Sequence, residues 1–238
     1  DYYRVLRWKD GTLERFVRWK SPQGRISCLH FSRFVSIADH HLAGQRCEII
    51  PENYSGTIRL VSRLDGQVTN SGTQHLAPVE ASTFPGRGIY LMSETYEAKH
   101  LVVQAAAHRP EGPILGEGYA NGQRRIDYWV ELEAEAGRSL ALEKLVTTHS
   151  SRDLELEGMQ KSQELLLAWA LNANERAQQL GFQRALEEHV LAWQQRWEKA
   201  DLVIDGPDFD QLALRFALFH LMQMASWHDH RVSVAAKG

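Results

Sequence analysis

Cysteine is scarce in this sequence, because only Cys28 and Cys47 occur among 238 residues and no CxxC spacing is present. Two cysteines cannot build the dense disulfide framework of a small secreted domain, so a reducing, cytoplasmic setting is the simplest interpretation. The sequence also lacks a basic stripe: 27 Lys and Arg are interleaved with 30 Asp and Glu, for a net charge of −3. Nucleic-acid phosphates would require such a stripe, so we expect no nucleic-acid partner.

Long apolar runs are missing as well. No window reaches the roughly 20 apolar residues that a membrane helix needs, and the N-terminal segment has no apolar signal core. We therefore expect no membrane association; secretion is disfavoured but stays open, since processing removes leaders. The chain has no initiator Met and stops at Ala-Ala-Lys-Gly, so we predict that both ends are cut from a longer protein. Its 43% hydrophobic content is enough to fill a packed core.

The first 150 residues read as strands separated by turn signals. Residues 25–37 alternate between polar and apolar types, and Gly-containing turns such as Asp65-Gly66, Gly86-Arg87-Gly88 and Asn121-Gly122 lie between the predicted strands. The predicted strands are residues 13–20, 25–37, 45–50, 57–64, 89–94, 101–107, 125–133 and 139–148. Many strands without intervening helices predict an antiparallel β-sandwich.

The hydrophobic period then changes to that of helices. A first helix begins after Ser162 and ends at Gly181, where we predict a left-handed cap. A second helix follows at once, with one apolar face that includes Trp193 and Trp197. Their spacing of four residues indicates packing of this helix against the sandwich more than a platform for sugar rings.

A third helix, over residues 209–227, is apolar nearly all round, with Asp208 as its predicted N-cap. Such a helix must be covered on most sides, and two preceding helices cannot cover both it and the sandwich. We therefore predict that partner helices are missing from this chain. Within the helix, we expect His220 to be a hydrogen-bonded core histidine.

Four segments carry a resemblance to a known family. They are RFVSIADHHL at 33–42, SRLDGQVTN at 62–70, ALRFALFHLMQ at 213–223 and SVAAKG at 233–238. Together they resemble family 65 of the glycoside hydrolases, which contains maltose, trehalose and kojibiose phosphorylases and related trehalose hydrolases. None of the segments is a chemical motif, so the resemblance is one of scaffold.

The family plan implies a mainly β protein with α-helices. Residues 1–150 are expected to form an antiparallel β-sandwich of the galactose-mutarotase-like supersandwich type. Residues 151–205 are expected to form a helical linker, and residues 206–238 the first helix of a truncated α/α-barrel catalytic domain.

The resemblance also implies an activity for the full-length parent. We expect an inverting phosphorylase of α-linked glucose disaccharides that uses inorganic phosphate as co-substrate and no other cofactor. No catalytic residue lies in this chain, because the family's general acid Glu is expected beyond Gly238; Lys237 is the one residue we place near the substrate pocket. The fragment alone is expected to be inactive, and the parent to form a homodimer. Two alternatives stay open: a trehalase-type hydrolase, or a stand-alone carbohydrate-binding or structural module.

Several short motifs contain residue types that could carry chemistry of their own. Gly116-Glu117-Gly118-Tyr119 looks like a catalytic stretch of the family but precedes a strand, which predicts a β-turn. The pairs His40-His41 and His228-Asp229-His230 lack partners at convincing spacing, so we predict no metal site. Ser36 and Asp39 form a Ser-x-x-Asp pattern that predicts a capped turn.

The predicted strands also contain carboxylates that could act as acids and aromatic residues that could stack on sugars. Glu131, Glu133 and Glu135 are spaced two apart, which places all three on one solvated face of a strand rather than in a site that raises a pKa. Tyr128 and Trp129 are neighbours on a strand and face opposite sides, so at most one is exposed for sugar binding.

Overall fold

The computed structural model describes residues 1–159 and 162–234. The strands in these ranges are Tyr2–Arg7 (β1), Thr12–Lys20 (β2), Ile26–Val35 (β3), Leu42–Pro51 (β4), Gly56–Asp65 (β5), Thr69–Asn70 (β6), Thr73–Gln74 (β7), Leu76–Phe84 (β8), Gly88–Thr95 (β9), Leu101–Glu111 (β10), Ile114–Gly122 (β11), Arg125–Ala134 (β12) and Leu140–Ser150 (β13). The helices are Gln163–Leu180 (α1), Phe182–Ala200 (α2) and Asp208–Met224 (α3), and a single 3-10 turn spans Leu154–Leu156. None of the described helices is long and apolar enough to cross a lipid bilayer.

Two unequal antiparallel sheets form the sandwich. The larger sheet has eight strands in the order β1-β2-β3-β4-β13-β10-β9-β8, and the smaller has the order β11-β12-β5, while β6 and β7 pair only with each other. Alternate residues of β12 face the larger sheet, and Ile126, Tyr128, Val130 and Leu132 are each fully buried there. The predicted antiparallel β-sandwich is therefore confirmed.

Helices cover the opposite face of the larger sheet. Leu166 and Ala170 of α1 pack against Met92 and Val103 in one cluster. Further along, Phe182 of α2 packs with residues of β3, β4 and β13 in a second cluster. The order along the layers is therefore small sheet, large sheet and helices, so the large sheet is buried on both faces over its central strands.

The strands that sequence patterns did not predict lie at sheet edges, are very short, or contain proline or glycine. All eight predicted strands are present with slightly different ends, but β1, β6, β7, β8 and β11 were not predicted. The edge strand β1 is largely exposed and so shows no clear alternation of apolar residues. Strand β8 contains Pro78 at a register shift, where proline is tolerated because the ladder is already interrupted.

The predicted helix ends are close to the observed ones. The Ser162 hydroxyl accepts a hydrogen bond of 3.1 Å from the Leu165 amide at the start of α1. Gly181 ends α1 with φ of 81°, but its ψ of 160° is not that of the left-handed helical cap we predicted. Asp208 is the first residue of α3 and does not cap it, because Pro207 occupies the cap position.

A buried asparagine fixes α1 to the sheet. The Asn174 side-chain amide is fully buried and donates hydrogen bonds of 3.0 and 3.1 Å to the carbonyls of Ala105 and Leu145. Asn174→Ala should lower the free energy of unfolding by about 2–3 kcal/mol, because both carbonyls lose a partner in a buried place. Urea denaturation of the 238-residue chain measures this loss. Asn172→Ala, on the exposed side of the same helix, should change it by less than about 0.5 kcal/mol; equal losses would contradict the prediction.

Candidate functional site

A cluster of aromatic residues holds α3 against the rest of the molecule. Trp193, Trp197, Phe219 and Met222 are buried together, and the rings of Trp193 and Phe219 have centroids 4.8 Å apart. The indole nitrogen of Trp197 donates a hydrogen bond of 3.1 Å to the carbonyl of Trp8, in the connection after β1. Both tryptophans are therefore packing residues, as predicted, and neither is exposed for stacking on a sugar.

Much of the rest of α3 is uncovered. Phe209, Leu212 and Phe216 form a stripe at helical spacing and remain 75%, 51% and 48% exposed. We call this stripe the uncovered face of α3. An apolar helix face of this kind is typical of a surface that binds another protein segment. The prediction that the described part of the chain cannot enclose this helix is confirmed.

His220 lies on the same side of α3 as Phe216, and its position shows that our prediction of a core histidine is wrong. The residue is exposed, and its ring meets the rings of Phe216 and Phe219 edge-on, with centroids 4.4 and 5.3 Å away. It is not a core histidine, because no other described element packs over this side of the helix.

Gly116-Glu117-Gly118-Tyr119 is a strand, so the predicted β-turn is wrong. The segment lies in β11 and pairs with β12. A Cβ atom at Gly118 would lie 2.8 Å from the ring of Trp129 on the neighbouring strand. The glycine is there because the Trp129 ring lies directly over the backbone, not because the chain turns.

Glu117 is not suited to act as a general acid. Its carboxylate accepts hydrogen bonds of 2.6 Å from the Arg87 guanidinium and 2.7 Å from the Tyr128 hydroxyl. The bond from Arg87, followed by that from Tyr128, lowers the pKa of Glu117. The group therefore stays ionised near neutral pH and links the two sheets structurally.

The remaining carboxylate and aromatic predictions agree with the structure. Glu131 and Glu133 lie on the outer side of β12, and Glu135 follows the strand in an exposed position. Tyr128 is fully buried, whereas Trp129 is half-buried beneath the Arg59 guanidinium, 4.2 Å from the ring centroid. At most one of the two aromatic side chains is accessible, as expected.

The predicted capped turn is also present. The Ser36 hydroxyl accepts hydrogen bonds from the amides of Ala38 and Asp39, at 3.2 and 3.0 Å. The Asp39 carboxylate in turn accepts a 2.9 Å bond from the His41 amide. Ser36 and Asp39 therefore order the loop that carries the histidine pair. Lys237 lies outside the described residues.

Four histidine rings lie in contact along one edge of the molecule. Their order is His228, His40, His41 and His149, with successive centroids 4.2, 4.1 and 3.9 Å apart. We call this series the histidine row. Burial and the neighbouring His41 lower the pKa of His40, and the same two causes lower the pKa of His149 to about 4.

The histidine row contains the His40-His41 pair and one member, His228, of the second pair that the sequence singled out. His228 approaches His40 from the segment after α3, whereas His230 is exposed and outside the row. His149 and the nearby Glu155 were not predicted, because nothing in the local sequence links them to residues more than 100 positions earlier. Only the pairing of β13 with β4 brings these segments together.

Comparisons with known proteins agree with this architecture. The model of the N-terminal domain of glycosyl hydrolase family 65 matches residues 1–196. A solved structure from the human microbiome, provisionally described as a kojibiose phosphorylase, superimposes with a TM-score of 0.83 at 21% identity, covering 94% of this chain and 29% of that chain. This likeness concerns the fold.

Sequence relatives extend well beyond this chain. It is 39% identical over 246 residues to a kojibiose phosphorylase of Halothermothrix orenii and 30% identical over 250 residues to an alpha,alpha-trehalose phosphorylase of Thermoanaerobacter brockii. Each alignment covers 100% of this chain and 31% of the relative. The chain thus spans about a third of the length of these relatives.

Proposed function

Because the chain belongs to glycosyl hydrolase family 65, we propose that it is the N-terminal, non-catalytic section of an inverting phosphorylase of an α-linked glucose disaccharide. The observation that carries this proposal is the 39% identity, over the whole chain, to a kojibiose phosphorylase. Relatives named for trehalose and nigerose also align over nearly the whole chain, so the class of substrate is proposed and the linkage is left to experiment.

The proposed reaction needs a general acid, which we assign to a residue outside this chain, and inorganic phosphate as co-substrate. A carboxylic acid protonates the glycosidic oxygen as that bond breaks, and inorganic phosphate attacks the anomeric carbon from the opposite side. Inversion at an α-linkage gives β-glucose 1-phosphate and the free acceptor sugar. Glu117 supports this assignment, because its ion pair with Arg87 keeps it deprotonated. Inorganic phosphate is consumed as a co-substrate, and no cofactor is proposed for the reaction.

We assign this chain a supporting role in the enzyme. In this proposal residues 1–150 are the sandwich, 151–205 the linker and 206–238 the start of an α/α barrel. Barrel helices would cover Phe209, Leu212 and Phe216, whose exposure is the physical support for this division. Lys237 would lie near the sugar pocket. A cytoplasmic location and a homodimer complete the proposal.

A product assay on the full-length protein tests the reaction. With kojibiose, trehalose or nigerose as substrate, we expect glucose 1-phosphate to form only when inorganic phosphate is present, and NMR to identify it as the β-anomer. The 238-residue chain assayed alone should turn over none of these sugars. Equal glucose release without phosphate would instead support a trehalase-type hydrolase. Sugar binding without turnover by the full-length protein would support a binding module.

A further inference from the structure

Three potential metal ligands converge beside the histidine row. His40 and His41 lie in the loop between β3 and β4, and Glu155 lies in the 3-10 turn after β13. One ligand atom from each residue can be chosen so that all three lie within 4.8 Å of one another. Their side chains are 34%, 15% and 40% exposed, so the group is partly sheltered and still open to solvent.

The separations of these atoms suit a tetrahedral metal ion. The Glu155 Oε1 atom is 3.0 Å from His40 Nε2 and 3.6 Å from His41 Nε2. Ligands held about 2.0–2.1 Å from a tetrahedral Zn²⁺ are about 3.3 Å from each other. The two observed distances lie on either side of that value, and the chosen ligand atoms of all three residues lie within 4.8 Å of one another.

The hydrogen bonding of His41 turns a free nitrogen toward Glu155. His41 Nδ1 is 2.8 Å from the carbonyl oxygen of Thr148, which can only accept, so Nδ1 carries the proton and donates it. In the neutral ring Nε2 then has a lone pair that faces the Glu155 carboxylate. Two acceptors face each other, and a cation between them would satisfy both. A carbonyl behind the ring is also the usual partner of a metal-binding histidine.

The surroundings of the three ligands provide further imidazoles. His149 stacks on His41 with a centroid separation of 3.9 Å and is 3% exposed, yet its Nδ1 atom has no hydrogen-bond partner among the described residues. A buried polar atom without a hydrogen-bond partner is uncommon in a folded protein. On the other side, His228 stacks on His40 at 4.2 Å.

From this geometry we propose that His40, His41 and Glu155 bind a Zn²⁺ ion, with solvent at the fourth position. Two imidazoles and one carboxylate are a donor set that suits zinc, whereas Mg²⁺ and Ca²⁺ prefer oxygen ligands alone. The ion joins the β3–β4 loop to the segment that leads into α1. The proposal departs from our prediction of no metal site, which rested on local spacing: His40 and Glu155 are 115 positions apart.

The test is a Zn²⁺ titration of the full-length protein without an affinity tag, in competition with a chromophoric chelator. We expect one ion per chain, and His40→Gln and Glu155→Gln should each weaken the affinity at least about tenfold. Both side chains are partly exposed, so neither variant should unfold the protein. Co²⁺ in place of Zn²⁺ should give the visible absorption of a tetrahedral site in the unaltered protein and lose it in both variants.

His75→Gln is the matched control, because His75 is exposed in the loop before β8 and outside the histidine row. It should bind Zn²⁺ as tightly as the unaltered protein. The proposal is overturned if the unaltered protein takes up no Zn²⁺, or if affinity is unchanged in both His40→Gln and Glu155→Gln. Because the readout is metal binding, the result is independent of the phosphorylase assay.

Discussion

Replacing Trp193 with alanine should lower the free energy of unfolding of the 238-residue chain by about 3–5 kcal/mol, the range for a fully buried large aromatic. Trp193 is 1% exposed and contacts Phe219 of α3. A Cβ atom at Gly11, whose φ is +64°, would lie 1.9 Å from the Trp193 indole nitrogen, so the β1–β2 connection passes directly over the ring. The substitution therefore leaves a cavity between three segments that cannot collapse independently.

Circular dichroism during urea denaturation measures this effect without relying on tryptophan fluorescence. Trp19→Ala is the matched control, since Trp19 is 54% exposed on β2 and its removal leaves no internal cavity. It should cost less than about 1 kcal/mol. If the two variants lose similar stability, Trp193 does not anchor α3 in the way that the packing indicates.

The parts of the fold that sequence patterns predicted are those governed by local periodicity. Strand β12 alternates along most of its length and was found, and the change to helical spacing after Ser162 was found as well. Strand β11 was missed because its glycines read as turn residues, although Gly118 is required by the ring of Trp129 on another strand. The requirement for this glycine comes from a tertiary contact between two strands, which cannot be recognised in a single sequence.

Among the candidate sites, too, those that depend on a local pattern were predictable and those that depend on tertiary contacts were not. The uncovered face of α3 was predictable, because an excess of apolar residues around a helix is visible in the sequence itself. His220 was misplaced because the rings that meet it, Phe216 and Phe219, belong to its own helix and leave it exposed. The proposed zinc ligands His40, His41 and Glu155 were not foreseen, because the hydrogen bond from His41 to Thr148 joins positions 107 apart.

Acid should destabilise the sandwich through His108. This histidine is 5% exposed, its Nδ1 lies 2.8 Å from the Arg87 carbonyl, and its Nε2 lies 2.8 Å from the Ser62 hydroxyl. Burial lowers the pKa of His108 to about 4 from its ordinary 6.5, although the Arg87 carbonyl opposes the shift and the Lys144 charge adds to it. The folded protein therefore keeps this ring neutral while the unfolded chain takes up a proton.

The sign of the effect follows from that difference in proton uptake. Below about pH 6.5 the unfolded state binds more protons than the folded state, so stability falls as the pH falls and levels off near pH 4. At 1.36 kcal/mol for each pKa unit, the loss from His108 is on the order of 3 kcal/mol across this window. Above about pH 6.5 the His108 ring is neutral in both the folded and the unfolded state, so none of this stability is lost.

Urea denaturation of the 238-residue chain at about pH 7 and about pH 4.5 measures the loss. In His108→Gln the difference in unfolding free energy between the two pH values should shrink by on the order of 2–3 kcal/mol, because the group that takes up a proton on unfolding is gone. His75→Gln, which removes an exposed histidine, should leave that difference unchanged. An unaltered pH dependence in His108→Gln would mean that the buried ring is not what makes the sandwich acid-sensitive. NMR titration of His108 in the unaltered protein would then report an ordinary pKa.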